Sequence, residues 1–537
     1  MTETAARRVE FPSLWRPLRN PPVRNLLAAD FVSDVGTFMQ TVGAAWLMVS
    51  FGAGPMYVAL TQTASALPFF LFALVAGAIG DIVDRRKLIL VTETWMIGIG
   101  IVLSVVTLAG AMTPWLLLAL TFALSAGDAF EAPTWRAIFP ELVPREDLPA
   151  TAALNGIEFN LARAVGPGLA GLVIAAAGVG PAFVINTVSF LGVLVVVLRW
   201  KRPPRRSTLP AETIGGATVA ALRYVRYSPE LRTLFLRSGA VMLFASGLLA
   251  LLPTVAREAK GGAAAYGVLL GCFGAGAVGG ALLMQPVRSR LSTEGLVSAG
   301  SALLGAVVLA AALTRTLGVL ALLMVAGGAA WIVIISLLSA LGQTLAPDWV
   351  RARVMAVSIL VFQGSVAIGS AIWGTVAERS STRIALVASG AGILATLVLR
   401  FRHRLPEAPA ELAMWENHWR IPAVPAGDEP DLEEGPVLVT IHYEVAPEDT
   451  DAFLDAIHAF QRVRRRDGAK RWGVFYDRDT PGHYLETFVV VSWAEHLRQH
   501  ERSTTGDRAL EERVNAFVRG EPSVRHYIYA RPPRAGS

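Results

Sequence analysis

The sequence predicts an all-α polytopic membrane protein, with twelve transmembrane helices in two halves of six and a small α+β domain after them. Hydrophobic residues make up 53% of the 537 residues and the mean hydropathy is +0.49, which is too apolar for an ordinary soluble protein. Long uncharged runs recur, and the longest charged loop, near residues 200–233, divides six of them from six. Beyond residue 404 the composition becomes polar, which indicates a separate soluble domain.

The first clear span is the uncharged run of residues 56–80. At about 1.5 Å rise per residue it can cross a hydrocarbon core of about 30 Å as a helix. Residues 94–127 and 164–198 are uncharged but too long for one helix, and breaks at 110–114 and 178–181 make each a hairpin. The predicted spans are 26–50, 56–80, 88–110, 113–133, 154–177, 181–199, 234–256, 264–286, 293–314, 317–345, 352–377 and 382–400.

Basic residues are concentrated on one face of the predicted membrane. With the N-terminus in the cytoplasm, the outer loops hold only five of them: Arg257, Lys260, Arg315, Arg379 and Arg383. The positive-inside rule therefore places both termini in the cytoplasm. A net charge of +6 distributed in this way indicates a membrane face and no nucleic acid partner. The preference for arginine over lysine is typical of high-GC coding and suggests a bacterium. The predicted location is therefore a bacterial inner membrane.

The domain boundaries follow from the spans. We predict a cytoplasmic tail (residues 1–25), an N-terminal half (26–199), a cytoplasmic loop (200–233), a C-terminal half (234–400), a linker (401–435) and a soluble α+β domain (436–537). In the soluble domain, alternation predicts strands at 437–444, 485–493 and 524–530, and amphipathic periodicity predicts helices at 447–466 and 494–518.

A charged cluster occupies the loop between the second and third spans. Its members are Gly77, Asp81, Asp84, Arg85 and Arg86. Gly77 is expected to let helices approach closely, and Asp81 to lie near a helix N-terminus or to pair with an arginine across an inner gate. The alternative is an ordinary positive-inside loop whose acids only balance its bases.

Three motifs carry a family resemblance over residues 20–400. They are the loop residues Gly77, Asp81, Arg85 and Arg86, the stretch from Pro133-Thr-Trp-Arg to Leu154-Asn-Gly, and Gly166-Pro167-Gly168-Leu-Ala-Gly171. With these motifs the chain resembles exporters of the major facilitator superfamily, in the group of transmembrane secretion effectors and enterobactin-exporter-like proteins. Asp84 departs from the pattern, since many members have Gly or a neutral residue there. The resemblance implies the major facilitator fold, export, and an antiporter motif in the fifth span.

Charged side chains inside spans are costly and usually face a cavity or a partner. Here they fall in the N-terminal half: Asp30, Asp34, Glu93, Asp128, Glu131, Glu158 and Arg163. The pair Asp30 and Asp34 and the pair Asp128 and Glu131 each share a helix face. We hypothesise that these carboxylates load and release H⁺ while Arg163 or the substrate exchanges partners. The alternative is that they pair structurally or reach the nearby membrane face without moving protons.

The motif in the fifth span predicts a hinge. Gly166-Pro167 is expected to break the helix, and Gly168 and Gly171 to permit close packing and bending where the halves rock. Aromatic and amide side chains of several spans are expected to line an amphiphilic cavity, or else to face lipid or neighbouring helices. These side chains are Gln40, Trp46, Gln62, Phe69, Phe70, Trp331, Gln343, Gln363 and Trp373.

The soluble domain resembles the small ferredoxin-like, dimeric α/β-barrel domain of some members of this group. His496 and His500, four residues apart, are possible metal ligands, but the domain has no cysteine and no obvious third ligand. A solvated helix face is the preferred interpretation, so no metal and no other cofactor is predicted. No catalytic set is placed on the domain, and we expect interaction, regulation or self-association.

The predicted function is secondary active export of a small amphiphilic molecule, such as a siderophore, a drug or a secreted metabolite, in exchange for H⁺. The expected partners are the lipid bilayer, the substrate and the proton. An ATP-driven pump is disfavoured because the sequence has no phosphate-binding loop of the Gly-x4-Gly-Lys-Ser/Thr type. The chain is therefore not expected to be an enzyme. The alternatives are a membrane-tethered enzyme or regulator that acts through the soluble domain, and a sensor that binds ligand without transport.

Overall fold

The helices of the N-terminal half alternate in direction along the chain. A computed structural model describes residues 14–200, 214–288, 291–406 and 431–530. Its first six long helices are α1 (Pro21–Ser50), α2 (Pro55–Ile82), α3 (Arg85–Leu108), α4 (Pro114–Leu142), α5 (Leu148–Ala177) and α6 (Val179–Arg199). Each predicted span of this half corresponds to one of these helices.

The C-terminal half follows a helix that the sequence did not predict. This helix, α7 (Ile214–Tyr227), lies within the predicted cytoplasmic loop. The half then consists of α8 (Pro229–Glu258), α9 (Ala263–Arg288), α10 (Thr293–Leu313), α11 (Leu317–Thr344), α12 (Asp348–Arg379) and α13 (Thr382–Ala395), with the short α14 (Leu399–Arg402) after a 3₁₀ turn.

Among the described residues, eleven helices are long and apolar enough to cross a membrane, namely α2 to α6 and six helical segments between residues 229 and 402. The first predicted span, α1, is not one of them. It has 30 residues but contains Asp30, Asp34 and further polar side chains, which lower its hydropathy. The prediction of a polytopic helical membrane protein is confirmed. The side chains that make α1 unusual belong to the candidate site described below.

Local sequence explains where several helices begin and end. The Asp84 carboxylate accepts a hydrogen bond from the Lys87 N–H at 3.0 Å and so caps α3. Thr113 caps α4 in the same way, and Pro114 follows at the first helical position. Between α5 and α6 the turn is the single residue Gly178, whose φ of +85° favours glycine. The two predicted hairpins are therefore present.

The C-terminal domain is a four-stranded antiparallel sheet with helices. Its elements are β1 (Val437–Glu444), α15 (Thr450–Asp467), β2 (Arg471–Tyr476), β3 (His483–Val490), α16 (Trp493–Arg502), α17 (Thr505–Asn515) and β4 (Ser523–Ile528). The strand order is β2-β3-β1-β4, and Val437 pairs with both Val490 and Ile528. Phe453, Phe460 and other apolar side chains form its core. The predicted ferredoxin-like α+β order is confirmed.

Two details of this domain differ from the prediction. The expected helix over residues 494–518 is two helices, because Thr504 and Asp507 form a capping box that starts α17 anew. Strand β2 was missed, since Gly473 and the exposed flanking residues obscure the alternation of a half-buried strand.

The chain forms two compact units. One contains α1 to α6 and most of α8 to α13. The other contains α7, the connection between α11 and α12, and the four-stranded domain. Since α7 lies within the predicted 200–233 loop, the second unit joins parts that the predicted boundaries separate. The linker residues 407–430 lie outside the described residues.

Candidate functional site

The six acids predicted for the N-terminal half come from four neighbouring helices. Asp30 and Asp34 lie on α1, Glu93 on α3, Asp128 and Glu131 on α4, and Glu158 on α5. Counted at 1.5 Å per residue from the helix ends nearest the α2–α3 loop, they lie about 12 to 21 Å inside the bundle. Asp34 and Asp128 are the deepest. The structure therefore brings residues far apart in sequence to one level of the half.

Two of the acids have hydrogen-bond donors. The Trp135 indole N–H donates to Asp30 Oδ2 at 2.8 Å, and the Thr92 hydroxyl donates to Glu131 Oε2 at 2.5 Å. The acids also interact electrostatically with one another: Asp30 with Glu131 and Glu158, and Asp34 with Asp128. No ion pair joins any of the six to a Lys or Arg whose side chain the structure describes. We call this group of six carboxyl groups the acid cluster.

Glu93 and Glu158 are the most buried members of the acid cluster. Their exposed fractions are 2% and 9%. Within the described part of the chain, Glu93 Oε2 and both carboxylate oxygens of Glu158 lack a hydrogen-bond donor. Glu93 is the member nearest the end of its helix. It lies about 12 Å from the helix end but on the face of α3 that α4 and α6 cover.

Sequence reasoning missed the two donors to the acid cluster. Trp135 lies four residues after Glu131, so both lie on one face of α4, and Thr92 directly precedes Glu93. Trp135 also belongs to the Pro133-Thr-Trp-Arg motif. The helical spacing was therefore a usable signal for Trp135.

Arg163 does not belong to the acid cluster. It is five residues beyond Glu158 on α5, which places it about 140° further round the helix. Its guanidinium carbon lies 5.9 Å from the centre of the Phe273 ring on α9. The described residues contain no ion-pair partner for it. The hypothesis that Arg163 or the substrate exchanges partners as protons are loaded and released stays a prediction.

The loop between α2 and α3 is tied to the ends of α4 and α6. Arg85 donates to Glu141 Oε1 at 2.7 Å and to the Ala137 carbonyl at 2.8 Å. Arg86 donates to the Val197 and Leu198 carbonyls at 3.0 and 2.7 Å, where the end of α6 leaves carbonyls free. The side chain of Asp81 lies outside the described residues. Glu141, which the sequence did not single out, is thus a partner of this loop.

Gly77 does not have the predicted role. A Cβ atom on Gly77 would meet no atom within 4 Å, so its lack of a side chain is not needed for helix packing. Gly80 is the close contact instead, since its Cβ would lie 2.9 Å from the Thr134 hydroxyl oxygen. The glycine at the α2–α4 contact is therefore one turn further along the chain.

The predicted hinge is a packing surface within a continuous helix. α5 continues through Pro167 without a break, which corrects the expectation that Gly166-Pro167 interrupts it. A Cβ on Gly166 would lie 2.7 Å from Phe38 of α1, and one on Gly171 would lie 3.1 Å from the Ala263 carbonyl of α9. Gly168 has open space around it.

The two halves meet closely along α5 and α9. A Cβ on Gly267 would lie 2.6 Å from the Pro167 carbonyl, and one on Gly274 would lie 2.7 Å from the Ala164 Cα. Glycines on both helices therefore allow backbone-to-backbone contact. The sequence analysis identified the glycines of α5 but not those of α9, although their spacing of seven residues indicates a single helix face.

A second contact between the halves joins α2 and α12. The Thr63 hydroxyl donates to the Ala367 carbonyl at 3.0 Å, and the Phe70 ring covers Gly364. At the α1–α2 end of the bundle, the Met56 N–H donates to Glu378 at 3.4 Å. The halves are thus joined on two sides, and both contacts extend to the end opposite the α2–α3 loop.

Some of the predicted cavity residues lie between the halves. Trp46 stacks on Tyr266 with ring centres 6.4 Å apart, and Trp331 packs edge-on against Phe273 and Phe362. A small pocket between α1, α2, α8 and α9 is lined by Thr41, Ala44, Ala45, Thr61, Gln62, Ser65, Leu249, Ala250, Pro253 and Tyr266. Phe69 and Gln363 are half-buried.

Three other residues predicted for the cavity have different positions. The Gln40 side chain accepts from the Asn186 amide at 3.1 Å, inside the N-terminal half. The Trp373 indole donates to the Leu243 carbonyl at 2.9 Å, which joins α12 to α8 within the C-terminal half. Gln343 is exposed near the end of α11. The sequence identified these residue types but not the direction in which each helix presents them.

The C-terminal half has a buried ion pair that was not predicted. Arg237 of α8 binds both carboxylate oxygens of Glu294 at 2.8 and 2.6 Å, and Arg237 is 3% exposed. Glu294 also accepts from Ser298 and from the Leu405 N–H, each at 2.9 Å. The pair joins α8, α10 and the segment after α14. No local pattern relates residues 57 positions apart.

Comparison with known proteins agrees with this geometry. The sequence model of a family described as transmembrane secretion effector matches residues 12–533. The chain belongs to this family. It is 28% identical over 253 residues to the multidrug efflux pump Tap of Mycolicibacterium fortuitum. This match covers 42% of the present chain and 56% of the pump. The chain is 27% identical over 270 residues to the enterobactin exporter EntS of Salmonella typhimurium, which covers 49% and 63%. The matches thus span less than two thirds of either relative.

The fold of the chain also resembles a solved structure, that of a bacterial homologue of the human lysosomal transporter Spinster in an inward-facing, occupied conformation. The TM-score is 0.58 at 14% identity, and the match covers 72% of this chain and 97% of that one. At this identity the likeness shows the fold alone, and it confirms the predicted major facilitator fold.

In the soluble domain of this secretion effector, His496 faces another histidine. Its ring centre is 4.6 Å from that of His526, and both pack against Trp493. The side chain of His500 lies outside the described residues. Burial lowers the pKa of His526 below its ordinary value of 6.5. No group of three potential metal ligands occurs among the described residues.

A fully buried carboxylate lies at the centre of the same domain. Glu486 on β3 is 0% exposed and accepts from Arg464 at 3.0 Å, from the Tyr443 hydroxyl at 2.8 Å and from the Trp472 indole at 2.8 Å. Its charge is therefore both paired and hydrogen-bonded. This arrangement is a structural network within the core of the domain.

The soluble domain also binds α7. Arg223 of α7 donates to Glu495 Oε1 at 2.9 Å and to the Arg466 carbonyl at 3.1 Å. Arg502 binds both carboxylate oxygens of Glu495 at 2.7 and 3.2 Å, and its guanidinium lies 4.6 Å from the centre of the Trp349 ring. Trp349 is in the first turn of α12. The domain therefore contacts two elements that connect transmembrane helices.

Proposed function

We propose that the chain is a secondary transporter that exports small amphiphilic molecules across a bacterial inner membrane in exchange for protons. In this proposal the N-terminus and the α2–α3 loop face the cytoplasm, as the distribution of basic residues favours. The family and its named relatives, a multidrug efflux pump and an enterobactin exporter, support export of small molecules and a role as transporter.

The acid cluster is the observation that carries proton coupling. Its carboxyl groups are close together in a medium of low dielectric constant, without an ion-pair partner among the described residues. When ionised together they repel one another, and proton binding relieves the repulsion. Gain or loss of protons therefore changes the energy of packing α1, α3, α4 and α5 against one another. A transporter that exchanges protons for substrate needs a bias of this kind.

The contacts between the halves support alternating access. Gly171 lies against Ala263, and the Met56 N–H binds Glu378, at the end of the bundle opposite the α2–α3 loop. In the proposed orientation this is the outer end, so the described state is closed to the outside. Export then requires the α5–α9 and α2–α12 contacts to separate at that end while the halves approach each other at the other.

The test uses purified protein in liposomes, with a lipophilic fluorescent dye as substrate and an imposed pH gradient. We expect gradient-driven dye movement by the wild type and at least a tenfold loss in Glu93→Gln and in Glu158→Gln, since each variant removes one ionisable member of the cluster. The matched control is Glu258→Gln, a half-exposed carboxylate that pairs with Arg315. Gradient-driven movement that survives substitution of every member of the acid cluster would reject proton coupling at this site.

For the soluble domain we propose a regulatory role in the same protein. The observation that favours it is the binding of Glu495 and Arg502 to α7 and Trp349. The alternative is a membrane-tethered enzyme, which predicts that the domain turns over a substrate and that substitution of Glu93 leaves this activity unchanged. Measuring flux and turnover in the same preparation separates the two.

A further inference from the structure

The positive charge of Arg163 lies between the two halves. Arg163 is near the middle of α5. A Cβ atom placed on Gly274 of α9 would lie 2.8 Å from the Arg163 carbonyl oxygen, so the two backbones are in close contact here. Its guanidinium extends over the Phe273 ring. The structure describes no acid that forms an ion pair with it. A charge at this depth is costly unless an anion or a polar group accompanies it.

Phe273, the ring beside Arg163, begins a series of aromatic contacts within the C-terminal half. Phe273 on α9 packs edge-on against Trp331 of α11 with ring centres 5.9 Å apart, and Trp331 packs against Phe362 of α12 at 6.3 Å. Trp331 is 4% exposed, and its indole N–H has no hydrogen-bond acceptor among the described residues. A buried N–H donor without an acceptor is rare and costs about 1 to 3 kcal/mol.

We propose that Arg163, Phe273, Trp331 and Phe362 form a binding site for an aromatic organic anion, and that the exported molecules include this class. The proposal rests on the proposed function as an exporter. A carboxylate or phenolate group supplies the counter-charge that no described acid gives Arg163, and an acceptor for the Trp331 N–H. A planar ring attached to it packs edge-on or offset against the three aromatic side chains. A cationic ligand meets repulsion from Arg163, and an aliphatic anion forgoes the ring contacts.

A small pocket between the halves lies further along α9 from this site. Tyr266 lines the pocket and lies seven residues before Phe273, so both lie on one face of α9, about 10 Å apart along the helix axis. The pocket adds the hydroxyl groups of Thr41 and Thr61 and the amide of Gln62.

The acid cluster does not neutralise this site. Glu158 faces the interior of the N-terminal half, whereas Arg163 faces α9, so opposite sides of α5 hold the negative and positive charges. One half can therefore hold protons and an anion at separate places. Arg163 is a substrate-binding residue in this proposal, not a member of the proton-carrying group.

The test measures binding and not transport. Purified full-length protein in lipid nanodiscs is equilibrated with radiolabelled 1-naphthoate, with 1-naphthamide as the neutral probe of the same ring and cyclohexanecarboxylate as the anion without an aromatic ring. We expect the wild type to bind 1-naphthoate about tenfold more tightly than either of the others, since one charge-assisted hydrogen bond contributes about that factor. Arg163→Gln should abolish the preference for naphthoate over naphthamide, and Arg163→Lys should retain part of it. Trp331→Phe should weaken naphthoate binding about three- to tenfold and leave naphthamide nearly unchanged.

Arg315→Gln, in the loop before α11, is the matched control and should bind like the wild type. The proposal is overturned if the wild type binds naphthamide as tightly as naphthoate, binds no naphthoate at millimolar concentration, or keeps its preference in Arg163→Gln. The comparison of the three probes on the wild type decides the matter even if Arg163→Gln does not fold. A preference for the anion in a protein without proton-driven dye movement would refute the proposed exchange and leave this site standing.

Discussion

Replacing Glu495 by alanine should release the soluble domain from α7. The Glu495 side chain is 12% exposed and accepts from Arg223 and Arg502, which are 15% and 4% exposed. Loss of the carboxylate removes a buried ion-pair partner from both guanidinium groups, and breaking a buried pair costs about 3 to 5 kcal/mol. Arg502 keeps the Asp467 carbonyl at 3.0 Å and the Trp349 ring, so we expect the lower end, about 3 kcal/mol.

Hydrogen exchange of the full-length protein in detergent or nanodiscs measures this cost. About 3 kcal/mol corresponds to an increase of about 100-fold in the exchange rate of the amides in α7 and α16 that open together. The transmembrane helices should exchange as in the wild type. This regional pattern separates undocking from a general loss of stability.

The control for this prediction is Glu448→Ala. Glu448 and Arg519 are 4.0 Å apart and mostly exposed, so their pairing should contribute nothing measurable. If the amides of α7 are equally protected from hydrogen exchange in Glu495→Ala and in Glu448→Ala, the contact around Glu495 does not hold the domain to α7. The proposed regulatory role then loses its support. If α7 opens and proton-driven dye movement also changes, the contact regulates transport.

Three further predictions follow from described contacts. Burial alone would raise the pKa of Glu495, but the hydrogen bonds and charge of Arg502, and then of Arg223, lower it below its ordinary value of 4.5. The ionised carboxylate therefore stabilises the docked domain above pH 4.5, and this stabilisation is lost as the pH falls through the lowered pKa. Hydrogen exchange of the α7 amides should accordingly become faster in acid. Glu486→Ala should destabilise the soluble domain by about 3 to 5 kcal/mol in a denaturant titration, because it breaks the buried ion pair with Arg464. An unchanged midpoint would contradict this. Gly267→Val should abolish dye movement by forcing α9 away from α5. The control Gly168→Ala should be tolerated, because a Cβ atom at residue 168 has open space around it. Equal activity of the two variants would show that the close α5–α9 contact is not required.

Sequence reasoning predicted the helices because the membrane imposes a length and an apolar composition that a single run of residues displays. It located Asp30 and Asp34 on one face of α1, and Asp128 and Glu131 on one face of α4, because helical spacing is local. It also found α5 as the packing helix from the glycines at 166 and 171. The acid pairs and the glycine pair are each contained in fewer than ten consecutive residues, and each helix in one uninterrupted run.

What the sequence could not supply is which face of each helix meets which neighbour. Gln40 and Trp373 have the chemistry of cavity residues, but each is bonded within its own half to a residue more than 100 positions away. Glu93 is the acid nearest the end of its helix, yet it is only 2% exposed because α4 and α6 pack against α3. The helix α7 was hidden in a loop because its stability depends on contacts such as that between Arg223 and Glu495.

α5 connects the two chemical sites of the transport proposal. Glu158 joins it to the acid cluster, Gly166 packs against α1, Arg163 extends toward Phe273, and Gly171 packs against α9. Because the helix is continuous, a change in its packing against α1 on protonation shifts the position of Arg163 and Gly171 relative to α9. This argument predicts that Gly166→Val, which pushes α5 from α1, changes the affinity for 1-naphthoate even though residue 166 does not contact the proposed anion site. An unchanged affinity, with a folded protein, would mean that the two sites are not coupled through α5.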